Sequence, residues 1–262
     1  MYRLENNLIL FTKQYPLYIK KLMHKFKQLL LSLPIFLSIS SCVAEPTAEN
    51  SNTRLNAVQN RKQLICGVSG QLPGFSFVDS SGKYSGLDVD ICRAVAAALF
   101  DDPNAVEFRQ LNAKERFTAL QTGEVDLLSR NTTWTMSRDT SVGLNFAPVV
   151  FYDGQGMMVR KDSNIKSLAD LQGKAICTQT GTTNEQNLAD QMRKREITYK
   201  SVVFEDVNTT YATYQQGRCD AVTSDKSQLI SRRSTLPLPE NHVILEEALS
   251  QEPLTPAVAD GD

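Results

Sequence analysis

Three stretches concentrate side chains able to hold a small charged molecule. Arg130-Asn131-Thr132-Thr133-Trp134-Thr135-Met136-Ser137-Arg138 is dense in hydroxyls, carries an amide and the single tryptophan of the chain, and closes on an arginine. Ser224-Asp225 ends the second stretch. Each follows a run that reads as a buried strand, VDLLS and CDAVTSD, and ligands of open α/β sheets bind beyond the carboxyl ends of strands. If both strand ends face one cleft, Arg138 can take a carboxylate in a bidentate fork and Asp225 an ammonium, by charge-assisted bonds about twice as strong as neutral ones. A ligand with both groups is an α-amino acid. The third stretch, TQTGTTNEQ, puts Gly181, Thr182 and Thr183 at a helix start, where free N–H groups and the dipole favour the same carboxylate. Each feature also has a plain reading: a surface ion pair for the lone Arg or Asp, an N-cap for Thr-Thr.

The elements that must position these residues alternate. LICGVSG reads as a strand, GLDVDICRAVAAALF as a helix with Asp88 placed to help cap its start, VEFRQL as a strand, AKERFTALQTG as a helix closed by Gly123, and VDLLS as a buried strand. After FAPVVFYDGQGMMVRK the rhythm restarts: SLADLQG helix, KAICTQTG strand, TTNEQNLADQMRKR helix, YKSVVFED strand, TTYATYQQG helix, CDAVTSD strand. Such alternation predicts parallel sheets with helices on both faces. The restart is mirrored in a weak repeat. FTALQTGEVDLLS (117–129) and YATYQQGRCDAVT (211–223) share aromatic, large apolar, Gln, Gly, Asp and hydroxyl positions in register, so the chain is expected to hold two similar α/β units.

The bulk properties agree with a folded, non-nucleic-acid protein. The chain has 262 residues, 41% hydrophobic and 22% charged, with 28 Lys+Arg against 29 Asp+Glu for a net charge of -1. That excludes a disordered chain, a multi-span membrane protein and a basic nucleic-acid binder. No GxGxxG follows a strand and no CxxC or His-rich spacing is present, so neither a dinucleotide cofactor nor a metal is expected. His24 and His242 lie outside the three stretches, and no catalytic serine or cysteine motif occurs, so the chain is not read as an enzyme.

Residues 1–42 read as a signal region whose natural start is Met23. A basic run, His24, Lys25 and Lys27, precedes an apolar segment from Leu29 to Ile39, of about 11 residues where a membrane span needs about 20. Ile39-Ser40-Ser41-Cys42 resembles the lipobox at which bacterial lipoproteins are cut and lipidated on cysteine; a plain signal cut after Ala44 is the alternative. Residues 43–54 read as a flexible linker. Export favours disulfides among Cys66, Cys92, Cys177 and Cys219. Three pairings are possible, and Cys66–Cys92 with Cys177–Cys219 is the one compatible with two independent domains; four buried reduced thiols are the alternative.

From about Leu64 to the C-terminus the chain resembles the family 3 bacterial solute-binding proteins, which feed polar amino acids to ABC transporters. PGFSFVDSSGKYSGLDVDICRAVAAALF is similar to the family's opening segment, NTTWTMSRD to its Thr-x-Thr-xx-Arg ligand loop, and GRCDAVTSD to its closing strand. The four cysteines with TQTGTTNEQNLAD are most similar to the general L-amino-acid-binding subgroup.

The resemblance implies an α/β, two-lobed type II periplasmic-binding-protein fold, each lobe a mixed, mainly parallel sheet flanked by helices. Lobe 1 would be 55–150 plus 252–262 and lobe 2 151–251, hinged near Val149 to Asp153 and Glu247 to Leu254 and closing on its ligand. It implies an L-amino acid as ligand and a membrane permease as partner. Arg138 would bind the ligand α-carboxylate with Thr133, Thr182 and Thr183, and Asp225 the α-ammonium with the Asn131 carbonyl. Phe75 or Phe77 would be the aromatic of the first wall, and Trp134 would cover the side-chain end. Two positions depart from the family: Gly74 splits the usual Pro-aromatic pair, and Asn131 replaces a glycine. In the family the strand resembling EPLTPAVADGD is followed by helices that complete lobe 1, so lobe 1 is expected to be incomplete here. A truncated, non-functional remnant is one alternative reading; a dehydratase or a receptor sensor built on the same fold is another.

Overall fold

The computed structural model describes residues 53–261; the expected signal region, the lipobox Cys42 and most of the linker lie outside the described residues. The first part of the described chain runs α1 (Thr53–Arg61), β1 (Leu64–Val68), β2 (Gln71–Leu72), β3 (Ser76–Val78), β4 (Tyr84–Ser85), α2 (Leu87–Phe100), β5 (Val106–Gln110), α3 (Arg116–Thr122), β6 (Leu127–Leu128), α4 (Met136–Ser141) and β7 (Leu144–Phe146). The second part runs β8 (Phe151–Arg160), β9 (Ala175–Gln179), α5 (Thr183–Lys194), β10 (Lys200–Phe204), α6 (Val207–Gln215), β11 (Ala221–Asp225), α7 (Lys226–Ser234), β12 (His242–Ile244), β13 (Ser250–Leu254) and β14 (Ala257–Ala259).

Two larger sheets, one per lobe, run in orders β5-β1-β6-β14-β7 and β10-β9-β11-β8-β12, with β13 also paired to β8, and β2, β3 and β4 form a small antiparallel third sheet. In each larger sheet three strands are parallel, β5-β1-β6 and β10-β9-β11. The strands added by the crossovers are antiparallel: β14 to β6 and β7, and β8 to β11, β12 and β13. Hence the alternation rule covers half of each sheet, and the returning strands make both sheets mixed. Leu254 is the register partner of Phe151, and Val150 N donates to Leu254 O at 2.9 Å, so both inter-lobe passages run side by side. Each larger sheet is packed on both faces. One set of clusters includes Leu120, Val125 and Leu128 on one face and Cys66, Cys92 and Ala96 on the other; the second set includes Leu168, Leu188 and Met192 opposite Tyr211, Tyr214 and Leu229.

The repeated unit has one structural meaning in both lobes. Asp126 N donates to Ile65 O and its carboxylate accepts from Ile65 N at 2.7 Å; Asp220 N donates to Ala175 O and its carboxylate accepts from Ala175 N at 2.8 Å. Gly123 and Gly217, ahead of these aspartates, hold φ of 80° and 75°, the left-handed turn that ends each helix. Cys66 is bonded to Cys92 and Cys177 to Cys219, with Cα–Cα distances of 6.2 and 5.7 Å, so each lobe has its own link.

Two local expectations differ. SLADLQG forms a 3-10 turn over Leu168–Leu171 rather than an α-helix, closed by a Ser167/Asp170 capping box and stopped by Gly173 at φ 73°. Asp88 does not cap α2: the N-cap is Gly86, without a side-chain bond, and the Asp88 carboxylate instead accepts Asn131 N at 3.1 Å.

Candidate functional site

The lobes are closed on one another along the strand ends. Thr133 Oγ1 lies 3.4 Å from Thr183 Oγ1, Asn131 Nδ2 donates to Gln228 Oε1 at 3.3 Å, and Arg116 Nη2 donates to Gly181 O at 3.4 Å. Further out, Lys114 Nζ meets Glu205 Oε1 at 2.5 Å, Ser231 Oγ donates to Pro73 O and Arg232 Nη1 to Gln71 O. The chamber left at the centre is about 10 Å³, room for about one water. Arg116, Arg130, Asn131 and Thr133 line it from lobe 1, with Thr183 and Asp225 among the residues facing them from lobe 2.

Local sequence explains why these side chains arrive here. Asn131 holds φ of 35°, in the left-handed region where asparagine is tolerated next after glycine. Its N–H goes to Asp88, and its buried Oδ1 has no partner. Thr135 caps α4, accepting from Arg138 N at 3.2 Å, and so fixes the first turn that carries Arg138 inward. The Arg138 guanidinium donates to Thr133 O at 2.8 Å and lies 5.1 Å from the Phe117 ring centre. Across the cleft, Thr182 caps α5 by accepting from Glu185 N, while Thr183 Oγ1 donates to Glu252 Oε2 at 2.8 Å. Gly181 sits at φ 74°, where a Cβ would come within 3.0 Å of Lys114 Cα of the other lobe. Asp225 ends β11 and accepts Asn184 Nδ2 at 2.9 Å.

Electrostatically the chamber is a buried set of unlike charges held apart. Among the described residues no carboxylate stands within ion-pair distance of Arg116, Arg130 or Arg138. Burial lowers the pKa of all three guanidiniums, that of Arg130 to about 10, and the neighbouring Arg138 and Arg130 lower Arg116 further. Burial pushes the Asp225 carboxyl up to about 7, with Glu252 and Asp153 adding to the rise and the Asn184 bond opposing it. Asp88 is raised to about 6, again by burial. These charges are answered only by neutral groups, Arg138 by Thr133 O, Arg130 by Leu111 O, Arg116 by Gly181 O and Asp225 by Asn184, and buried charges without an opposite charge are costly.

Of the expected residues, Asn131, Thr133, Thr182, Thr183 and Asp225 line this chamber; Arg138 stands behind Thr133, whose carbonyl it holds, and Gly181 beside Arg116. The structure does not bring the aromatics with them. Phe75 is buried among Leu72, Leu254 and Leu87 and packs edge-on to Phe151 at 5.3 Å; Phe77 is 39% exposed on β3, and Trp134 is 37% exposed. Arg116, Arg130 and Asn184 line the chamber and Glu252 holds Thr183 from behind it, and the pattern of the sequence did not single out these four. Arg130 stood inside the quoted loop, directly after the repeat; Arg116 was hidden as one more polar residue of an amphipathic helix.

Residues 64–236 match the bacterial extracellular solute-binding proteins, family 3. The chain belongs to that family. A General L-amino acid-binding periplasmic protein, AapJ, of Rhizobium johnstonii is 54% identical over 212 residues, covering 81% of this chain and 62% of the relative. The glutamate/glutamine/aspartate/asparagine-binding protein BztA of Rhodobacter capsulatus is 48% identical over 212 residues, covering 81% and 63%. Among solved structures, an ABC transporter periplasmic binding protein from Brucella ovis with glutathione bound is 51% identical with a TM-score of 0.77, covering 79% of this chain and 65% of that one. This family 3 chain therefore spans less than two thirds of the length of these relatives. Its fold is that of type II periplasmic binding proteins, as in a cysteine-binding protein from Campylobacter jejuni, 27% identical with a TM-score of 0.71 over 79% of this chain and 80% of the other. Among the described residues no helix is long and apolar enough to cross a membrane, and no cluster could hold a metal ion.

Proposed function

We propose that this chain captures an L-amino acid between its two lobes and presents it to the membrane permease of an ABC transporter. The observation that carries this is the pairing of a buried Arg138, free of any ion pair among the described residues and held behind the chamber by the Thr133 carbonyl, with a buried Asp225 that lines the chamber from the other lobe. Arg138 takes the α-carboxylate, with Thr133 and the Gly181-Thr182-Thr183 turn. Asp225 takes the α-ammonium, with the Asn131 carbonyl beside it. Arg116 lies close enough to Gly181 to complete the cationic wall. The ligand enters an opened cleft, because the closed chamber is far too small for it, and closure then buries its charges between the walls. Phe75, Phe77 and Trp134 stand outside the closed chamber and are given no ligand contact in this form.

The relatives favour the same ligand class, since AapJ and BztA are named as amino-acid-binding proteins, and glutathione in the Brucella relative carries a free α-carboxylate and α-ammonium on its glutamyl end. We place the chain in the periplasm, held by lipid at Cys42; mass measurement of the mature N-terminus tests this, with an unmodified start after Ala44 counting against the anchor. A thermal-shift screen of L-amino acids tests the function, since binding to the native state raises its melting temperature. Stabilisation by a subset is expected; a cooperative melt moved by none of them contradicts the reading.

A further inference from the structure

One helix of lobe 2 carries both a chamber group and a grip on lobe 1. Helix α7 (Lys226–Ser234) begins directly after Asp225, and Gln228, Ser231 and Arg232 follow at i, i+3 and i+4, so the three share one face. All three meet lobe 1: Gln228 Oε1 accepts from Asn131 Nδ2 at 3.3 Å, Ser231 Oγ donates to Pro73 O at 2.8 Å, and Arg232 Nη1 donates to Gln71 O at 3.1 Å. The same helix is fixed to its own lobe. Leu229 is buried in the lobe 2 core, and a Cβ on Gly156 of β8 would come within 2.8 Å of Lys226 Cγ and 3.3 Å of Leu229 Cδ1, so glycine lets the helix lie close against the strand. The Asp153 carboxylate, on the first inter-lobe passage, accepts Ser227 N at 3.3 Å and the Ser227 hydroxyl, which ties the first turn of α7 to that passage. Arg232 is aimed as well: Nη2 donates to Asn208 Oδ1 at 2.5 Å, and the guanidinium lies 4.9 Å from the Tyr211 ring centre.

The receiving surface is the segment Gln71–Phe75, in which Gly74 parts Pro73 from Phe75. Gly74 holds φ of 85°, Phe75 N donates to Leu72 O at 3.1 Å, and the turn is pinned to α2 by Leu87 N on Gly74 O and Asp88 N on Phe75 O. Phe75 is thereby turned into its apolar cluster, while the Gln71 and Pro73 carbonyls meet α7. Resting on the amino-acid reading above, we propose that Ser231 and Arg232 are positioning residues that latch the lobes shut around a bound amino acid, with the Gln71–Phe75 turn as their catch. Neither residue lines the central chamber, so both act through α7, which brings Asp225 against the ammonium as its outer face engages lobe 1. The two bonds cross between the lobes, and opening the cleft breaks them. Losing a contact made only in the closed form speeds opening and leaves the first encounter with the open cleft unchanged, so its loss is read in dissociation.

Stopped-flow binding to the full chain tests this, with L-glutamate as probe, or the common L-amino acid of largest thermal shift if L-glutamate gives none. Arg232→Ala removes a charge-assisted bond and is expected to raise the dissociation rate constant about tenfold, with the association rate constant changed by less than about threefold. Ser231→Ala removes a neutral bond and is expected to raise dissociation about threefold; it carries the test should Arg232→Ala fold poorly. Arg232→Lys keeps a cationic donor and is expected to dissociate more slowly than Arg232→Ala. A purely local role of Arg232 beside Asn208 and Tyr211 would lower the melting temperature of the unliganded protein without this split between the rates. Dissociation unchanged in both alanine variants, or a loss of affinity carried by association alone, overturns the latch and leaves the amino-acid reading standing. A folded wild type that binds no common L-amino acid overturns the parent reading and the latch together.

Discussion

Thr133 Oγ1 of lobe 1 and Thr183 Oγ1 of lobe 2 stand 3.4 Å apart across the closed cleft, and Thr183 is held there by its bond to the buried Glu252. On the proposed reading a ligand carboxylate parts these two hydroxyls and takes over their bonds.

Gly181 gives the first prediction. With φ of 74° and a would-be Cβ 3.0 Å from Lys114 Cα and 3.1 Å from Ala113 O, it permits the tight approach of lobe 2 to lobe 1. Gly181→Ala is expected to hold the lobes apart and weaken ligand binding about tenfold, about 1.4 kcal/mol. Small-angle scattering at saturating ligand should show a larger radius of gyration than wild type; an unchanged radius and affinity would contradict the role.

A second prediction follows from Asp225, whose carboxyl is raised to about 7 by burial against a usual 3.8. Between those pH values the folded protein holds a proton that the unfolded chain has lost. The unliganded stability therefore falls as pH rises from about 4 to 7 and levels off above; Asp88, raised to about 6, acts in the same direction. Ligand binding has the opposite dependence, because an ammonium needs the ionised carboxylate: affinity should fall as pH drops below about 7, with proton release on binding. Asp225→Asn should melt higher than wild type at pH 8 without ligand and bind no amino acid. Melting curves across pH 5 to 8, with and without ligand, decide this; a flat unliganded profile in wild type would contradict it.

The disulfides give a third. Removing Cys177–Cys219, which closes 42 residues, costs about 4 kcal/mol on the chain-entropy estimate, or a fall in melting temperature of about 10 °C. Cys177→Ser with Cys219→Ser, measured by calorimetry, should show that fall, and peptide mapping of the unreduced protein should recover 66–92 and 177–219 links alone.

Much of this architecture was legible in the chain. The matched aspartates of the repeat, Asp126 and Asp220, make the same reciprocal bonds in both lobes, which is why the 117–129 and 211–223 stretches align. The division of the cysteines between halves was readable because each link stays within one lobe. Arg138 and Asp225 stood out because they follow strands, where open sheets place ligands, and both are buried. What was not legible depends on how the lobes meet. Arg116 and Glu252 reach the site from a helix face and a crossover strand, positions that no local pattern distinguishes from surface polar residues. Asp88 looked like a helix cap and serves Asn131 instead, a contact across 43 residues. The aromatics were misleading for the opposite reason: Phe75 fills a small apolar cluster of its own, so its type signalled packing and not the cleft wall.

The zwitterion clamp itself is tested most directly by titrating L-amino acids into wild type and Arg138→Ala side by side. Loss of one partner of a buried charge pair costs about 2 to 5 kcal/mol, so affinity should fall at least about 30-fold while the unliganded melting temperature moves by only a few degrees. An Arg138→Ala protein that binds L-amino acids as tightly as wild type would show that the carboxylate is held elsewhere and that the clamp described between Arg138 and Asp225 is wrong.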